Sequence, residues 1–168
     1  MRPLRGGLTA FALLLLLPLS GCLYGFAGGG LPPHVRTVAV LPMENETSSP
    51  ELPLELQDAL RLGLLSRLGL RDAPEERANA VVRGKITRFD LDMAAGFSAN
   101  PSQATSARRR LRVYVDIEIV DQVTGKVLWT RSGIQADGEY ADRGEAQGRK
   151  QAIDRIVNDV IEGAQSQW

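Results

Sequence analysis

Two residue types that build many catalytic and metal sites are almost missing from this chain of 168 residues, which contains one cysteine and one histidine. A single thiol leaves no partner for a disulfide within the chain. With His34 alone, a Ser/His/Asp or Cys/His catalytic set and a metal site with nitrogen and sulfur ligands are hard to assemble. We interpret His34 as an exposed loop residue, and we predict that the protein is not an enzyme and has neither a cofactor nor a bound metal.

Pairs of carboxylates two residues apart could in principle serve acid–base catalysis, because residues at this spacing share one face of a strand. Such pairs occur at 44/46, 90/92 and 116/118. The pair at 116/118 lies where an exposed strand face requires polar residues, and the other two flank turns. A structural role is therefore favoured for all three.

The chain also has no excess charge of either sign, since 20 basic residues balance 20 acidic ones. A general nucleic-acid binder normally has a strongly basic balance. We therefore expect no nucleic-acid partner.

Long apolar runs are absent except for one, from Leu8 to Leu19, which follows Arg2 and Arg5. A run of about a dozen apolar residues is too short to span a bilayer and is typical of a secretory signal. It ends at Leu19-Ser20-Gly21-Cys22, which resembles the lipobox of bacterial lipoproteins.

The lipobox resemblance implies that residues 1–21 are a signal peptide, cut immediately before the cysteine. Cys22 would then carry a diacylglycerol and an N-acyl chain as a membrane anchor. The alternative for this thiol is a buried, unreactive cysteine. The next residue is Leu23, whereas lipoproteins retained in the inner membrane resemble one another in having Asp there, so we expect delivery to the outer membrane on its periplasmic side.

The remaining chain divides into two parts. Residues 22–34 contain glycines at 25, 28, 29 and 30 and prolines at 32 and 33, a composition that predicts a flexible tether. Residues 35–168 are long enough for one domain with a single core. No internal repeat or second domain is indicated.

Hydrophobic periodicity predicts the order strand, helix, three strands, helix in this domain. The first strand covers Val35 to Leu41, the first helix Leu54 to about Leu70, and the second strand Ala80 to about Phe89, with a possible bulge near Arg88. Gly63 within the first helix suggests close packing on a neighbour. Residues 93–107, small and polar without a period, are predicted to be a mobile loop.

The clearest pattern runs from Arg108 to Asp121, where apolar residues alternate with polar ones. We predict a long strand with one buried face and one wet face, joined by a turn at Thr124 and Gly125 to a fourth strand, "KVLWTRSGI". The segment "ADGEYADRGE" after it is interpreted as a connection. A second amphipathic helix should run from about Glu145 to Ala164. The expected fold is α+β, with two helices on one face of a four-stranded, mostly antiparallel sheet.

Basic residues concentrate at one end of the long strand and on the polar face of the strand before it. If these strands pair, the cations could converge on one area suited to phosphate or sulfate oxygens. The alternative is a solvated face or an edge protected against aggregation. The candidate anion or lipopolysaccharide contacts are Arg83, Lys85, Arg108, Arg109, Arg110 and Arg112.

Several segments together resemble the lipopolysaccharide-assembly lipoprotein family LptE: the lipobox, "LPPHVRTVAVLPMENET", the hairpin "VDQVTGKVLW" and the closing helix before Trp168. The resemblance implies two helices on a four-stranded sheet. It also implies a plug that helps to assemble the outer-membrane β-barrel LptD and binds lipopolysaccharide in transit. It assigns no ligand residue.

The stretch "VAVLPMENET" also resembles the opening strand of lipoproteins of the LpoB and CsgG type, which regulate cell-wall synthases or form secretion pores. A secretion pore would need additional membrane-crossing strands, for which this chain has no room. A regulator of a wall synthase stays open as the alternative function.

Overall fold

In this computed structural model, the described residues are 31–94, 109–141 and 143–166. They form one mixed sheet, two helices and a short 3-10 turn at Glu75–Arg77. The strands are β1 (Thr37–Val40), β2 (Glu44–Asn45), β3 (Arg71–Asp72), β4 (Ala80–Ala94), β5 (Arg109–Asp121) and β6 (Val127–Tyr140), and the helices are α1 (Leu52–Arg67) and α2 (Glu145–Ser166).

The sheet has the order β3-β1-β4-β5-β6, with β2 also paired to β4. Strands β4, β5 and β6 follow one another in the chain, and each pairs antiparallel with the next. Strand β1 reaches β4 only after α1, and the two pair in parallel, as expected when a helix returns the chain to the same end of the sheet. The two-residue strands β2 and β3 also pair in parallel, with β4 and β1 respectively.

The α+β class and the two helices are confirmed, but the prediction of a four-stranded, mostly antiparallel sheet is wrong in detail. The sheet has six strands and is mixed, because β1, β2 and β3 all pair in parallel. Strands β2 and β3 have only two residues each, which is too short to produce an alternating pattern. The sequence therefore did not predict them. Strands β4 and β6 also extend beyond their predicted ends.

The bulge predicted near Arg88 is present as a register shift between Ile86 and Arg88 in the pairing of β4 with β5. An extra residue in a strand reverses the face on which all following side chains lie. After the shift, Phe89 lies opposite Val113 and packs against the core. The bulge thus keeps Phe89 on the same buried face as Ile86.

The main core lies between the helices and one face of the sheet. Helix α1 contributes leucines at a spacing of four, and α2 contributes isoleucines and valines on its inner stripe. Strand β5 contributes every second residue, as its alternation predicts. The side chains that are at most 1% exposed include Leu56, Leu60, Leu64, Leu111, Val113, Val115, Ile119, Ile156, Val160 and Ile161.

Glycines allow the helices to approach closely at two places. A Cβ atom on Gly63 of α1 would lie 2.6 Å from Cγ1 of Val157 on α2, which confirms the predicted close packing. A Cβ atom on Gly138 of β6 would lie 1.8 Å from the carbonyl oxygen of Gly148 on α2. Helix α2 therefore rests directly on the backbone of β6.

This contact covers part of the outer edge of β6, which ends the described sheet on that side. The backbone N–H of Glu139 donates to Oε1 of Gln151 at 3.2 Å, and Nη1 of Arg155 donates to the carbonyl of Asp137 at 2.8 Å. Unpaired strand edges recruit further strands from other chains. Around Gly138, side chains of α2 occupy the groups that such a strand would need.

An ion cluster joins the beginnings of the two helices. Arg149 of α2 donates from Nε and Nη2 to the Glu55 carboxylate at 3.1 and 3.0 Å, and from Nη1 to Glu145 at 3.0 Å. Glu51 lies 3.4 Å away. The bonds to Glu55, followed by those to Glu145, raise the pKa of Arg149 although partial burial opposes the shift. The cluster fixes the helices side by side.

The interpretation of His34 as an exposed loop residue is confirmed, since its side chain lies in a turn and is 44% exposed, but the sequence did not predict its contact with a buried carboxylate. Its Nε2 lies 2.7 Å from Oδ2 of Asp121, a carboxylate that is almost completely buried at the β5–β6 turn. Burial alone would raise the pKa of Asp121. Hydrogen bonds from the Thr124 hydroxyl, from His34 and from the backbone N–H groups of Val123 and Thr124 outweigh burial and lower this pKa to about 2.

The predicted signal peptide at 1–21, Cys22, most of the predicted tether, Arg108 and residues 95–107 of the predicted loop lie outside the described residues. Of the two helices that the structure describes, neither has the length and apolar character required to cross a bilayer.

Substitution of Gly138 by alanine should destabilise the fold by about 3 kcal/mol, because the added methyl group would overlap backbone rather than a movable side chain. Urea unfolding measures this change. Ser132→Ala, at an exposed position of the same strand, is the matched control and should stay within about 0.5 kcal/mol of the parent. Equal stabilities of the two variants would contradict the close approach of α2 to β6.

Acidification should remove the stability contributed by Asp121. Its folded pKa of about 2 lies below the usual aspartate value of 3.8, so the contribution is present above about pH 4 and is lost as the pH falls towards 2. The unfolding free energies of the parent and of Asp121→Asn, compared between pH 6 and pH 2, should converge at the acidic end. Parallel curves would show that the carboxylate is not held in its ionised form by the fold.

Candidate functional site

The face of the sheet that the helices leave open is a polar surface with a regular pattern. On β5 it consists of every second residue from Arg110 to Glu118, all of them only half-buried. We call the outward-facing polar residues of β4, β5 and β6 the open face. Its long, rigid strands hold these side chains in fixed rows.

At the β6 side of the open face, Arg112 forms a forked ion pair with the Asp137 carboxylate, with Nη2 at 2.9 Å from Oδ2 and a second bond from Nε to Oδ1. Arg110 lies 3.8 Å from Asp137 and 3.7 Å from Glu139. The hydrogen bond from Arg112 is the main cause that lowers the pKa of Asp137, and the same bond raises the pKa of Arg112. Both groups therefore stay charged together.

At the other end of the open face, β2 supplies the partner for a cation of β4. Lys85 lies opposite Asp116 in the register, and its Nζ is 2.6 Å from Oε1 of Glu46, the residue after β2. The hydrogen bond to Glu46 raises the pKa of Lys85. Arg83 lies opposite Glu118 and makes no ion pair with a residue in the described ranges.

Between these two ends, Arg88 bonds with Nε to both oxygens of Asp90 at 2.9 and 3.0 Å. Its guanidinium carbon lies 4.7 Å from the centroid of the Tyr114 ring, a distance typical of a cation–π contact. The bulge in β4 brings Arg88 and Asp90 onto the same face as Arg83 and Lys85. The open face therefore carries ion pairs at both of its ends and between them.

The predicted convergence of the cations does not occur, although the two strands pair. The antiparallel register places Arg83 and Lys85 against residues 118 and 116 of β5, whereas Arg110 and Arg112 lie towards its other end. Six residues of strand, or roughly 20 Å, separate the positions of Arg112 and Glu118. Arg109 is exposed at the end of β5, opposite Tyr140.

Sequence reasoning missed the acidic partners Glu46, Asp137 and Glu139. The segment containing Asp137 and Glu139 was interpreted as a connection, although Ile134, Ala136 and Gly138 alternate with Gln135, Asp137 and Glu139. That alternation is the signal that identifies the second half of β6. Glu46 has no comparable signal, because it is placed by the pairing of the two-residue strand β2.

A groove of about 570 Å³ runs along the outer side of the helix pair. Its floor includes Ala59, Gly63 and Val157, and Leu62 stands at its side with 67% of its surface exposed. Lys150 and Asp154, which form an ion pair across one helical turn, line it as well. The helix side thus has an apolar strip, in contrast to the charged open face.

Within the described ranges, no three His, Cys, Asp or Glu residues are grouped so that they could hold a metal ion. On the open face, Lys85, Arg88 and Arg112 each form an ion pair with a carboxylate of the domain. Such an arrangement can form salt-sensitive, polar contacts with another surface.

Comparisons with known proteins point to one family. The family model LptE, described as lipopolysaccharide-assembly, matches residues 35–162. A search of curated protein sequences found no match.

Among solved structures, the chain is similar to protein XCC0632 from Xanthomonas campestris, with 10% identity and a TM-score of 0.53 over 79% of this chain and 87% of that one. It is also similar to the hypothetical protein CT253 from Chlamydia trachomatis, with 12% identity and a TM-score of 0.51 over 78% and 96% of the two chains. The PelC dodecamer from Paraburkholderia phytofirmans has 16% identity and a TM-score of 0.49 over 82% and 95%. At these identities the likeness concerns the fold alone.

Exchange of the charges of Arg112 and Asp137 tests the pairing on the open face. Arg112→Asp should lower the melting temperature, because it places a second carboxylate beside Asp137. Adding Asp137→Arg should recover part of the loss, and the difference between single and double variants should shrink in high salt. Failure of the second change to restore any stability at low salt would exclude a direct interaction between these two side chains.

Proposed function

Because this chain belongs to the LptE family of lipopolysaccharide-assembly proteins, whose model covers residues 35–162, we propose that it is a non-enzymatic outer-membrane lipoprotein that plugs an LptD-like β-barrel. In this proposal the protein helps the barrel to assemble and binds lipopolysaccharide on its way to the outer leaflet. The family match is the observation that carries the proposal. Acylated Cys22 holds the domain at the membrane.

The open face supports the role of a plug. The lumen of a transmembrane barrel is polar, so a domain that fills it needs a polar surface whose own charges are already compensated. The open face meets this requirement, since Arg112, Arg88 and Lys85 each have a carboxylate partner within the domain. We propose that the open face lies against the barrel wall.

The covered edge of β6 limits the ways in which a partner protein can bind to the sheet. Gln151 and Arg155 of α2 already bond to the backbone of β6 around Gly138. A partner strand could not add to the sheet there without displacing them. Contact through side chains of the open face is therefore the proposed mode, rather than continuation of the sheet at that point.

The proposed contact with lipopolysaccharide uses the basic end of β5. Arg109 and Arg110 lie next to the 95–108 segment, and forked guanidinium groups bind phosphate well. Arg110 is held only loosely, with its carboxylate neighbours at 3.7 and 3.8 Å, so a phosphate could compete for it. Arg83 and Lys85 lie at the opposite end of the open face and would form a separate contact.

The proposed function is tested by purification of the tagged, acylated protein from detergent-solubilised outer membranes. A large β-barrel protein should be recovered in roughly equal amount. A variant with Arg112→Glu and Lys85→Glu on the open face should recover less barrel. The control variant, Arg61→Glu with Lys150→Glu, changes the charge equally but on the helices, and it should recover more barrel than the open-face variant. Recovery of a penicillin-binding protein without a barrel would favour the alternative, a regulator of a cell-wall synthase.

Charge reversal at Arg108, Arg109 and Arg110 should weaken binding of lipopolysaccharide to the purified protein, and the weakening should be greatest at low salt. Reversal of three exposed cations elsewhere, Arg61, Arg131 and Lys150, is the matched control, because it changes the net charge equally. Calorimetry in detergent measures the affinity of both triple variants for lipopolysaccharide. Equal affinity of the two triple variants would remove the basic end of β5 from the proposed contact.

A further inference from the structure

The chain enters the domain beside the turn that joins β5 and β6. Leu31 packs against the main core, and the N–H of Val35 donates to the carbonyl of Pro32 at 2.8 Å. Next in the chain, His34 bonds to Asp121 at the start of the turn, at 2.7 Å. The entry point of the tether is therefore fixed to one end of the long hairpin.

The same turn exposes two apolar side chains. Val123 is 66% exposed and Val127 is 49% exposed, with Lys126 between them at the surface. The N–H of Val123 donates to Oδ1 of Asp121 at 2.8 Å, so the backbone that presents this side chain is held by the residue that holds His34. Single exposed valines are ordinary. Here two exposed valines lie on one hydrogen-bonded turn, close to the residues where the tether enters the domain, and together they form a small apolar tip.

The length of the tether limits how this tip can be oriented. Nine residue-to-residue steps separate Cys22 from Leu31, and even a fully extended chain of that length reaches only about 30 Å. Strand β5, with 13 residues, spans about 40 Å from the turn to the end that carries Arg109. An acylated Cys22 could not hold the Arg109 end on the membrane while the turn points away, since the tether is too short.

We propose that residues 122–127 are the membrane-facing tip of the anchored protein, with Val123 and Val127 in contact with lipid. The inference rests on acylation of Cys22, which is part of the proposed function. The occupant of this surface is the bilayer that holds the acyl chains. The valines bury apolar surface in it, and the long side chain of Lys126 can lie along the interface with its ammonium group among the headgroups.

This orientation also separates the two ends of the sheet by function. The tip stays at the level of the anchored leaflet, and the basic end of β5 lies farthest from it. This orientation is the same whether the domain lies beside the membrane or enters a barrel from the leaflet that holds the acyl chains. In the barrel, the basic end would lie deepest in the lumen.

The test uses the full acylated chain in vesicles of phosphatidylethanolamine and phosphatidylglycerol that contain nitroxide-labelled lipid. Single cysteines at the tip (Val123→Cys or, as a second reporter, Val127→Cys) and at the far end (Arg143→Cys) are labelled with a fluorophore. Labelling is selective because acylated Cys22 has no free thiol. The fluorescence should be largely lost at 123 and at 127 and unchanged at 143.

Equal quenching at both ends, or quenching at 143 alone, would overturn the inference and leave the proposed function untouched, provided that mass spectrometry shows the acyl chains. A bare Cys22 thiol in the same preparation would overturn both the anchor and the orientation.

Discussion

The rest of the structure depends on burial of one face only of the three long strands β4, β5 and β6. Helices α1 and α2 cover that face with aliphatic side chains, so residues of β5 such as Val115 and Ile119 are removed from water. The residues between them must then lie on the opposite side. This constraint makes the open face polar from Arg110 to Glu118 of β5, and it also fixes which cations and carboxylates become neighbours.

A strand as long as β4 can satisfy this constraint only with a correction. The register shift after Ile86 moves Phe89 to the core and brings Arg88 and Asp90 to the open face. The bulge therefore has two effects at once, since it completes the core and extends the series of ion pairs. The partial burial of Phe89 and the placement of Arg88 and Asp90 on the open face therefore both result from the same register shift.

Contacts of α2 explain why, around Gly138, the sheet offers a partner its open face rather than the edge of β6. The missing side chains at Gly138 and Gly148 let the helix backbone touch β6, and Gln151 and Arg155 then occupy edge groups of that strand. At the other end of the hairpin, Asp121 braces the turn and holds His34. The end of β6 around Gly138 thus has its edge groups occupied by α2, and the turn before β6 receives the tether.

The sequence by itself determined the features that depend on local pattern: the α+β class, the two amphipathic helices, the alternation of β5, the bulge near Arg88, the close packing at Gly63 and the resemblance to the LptE family. The tertiary structure alone decided which strands pair in parallel, where the two-residue strands β2 and β3 join the sheet, and which carboxylates neutralise Lys85 and Arg112. It also decided that His34 meets Asp121, 87 residues away in the chain. The physical reason is that alternation records burial of a face, whereas register, strand direction and ion pairing depend on groups that are distant in the chain and become neighbours only when the core closes.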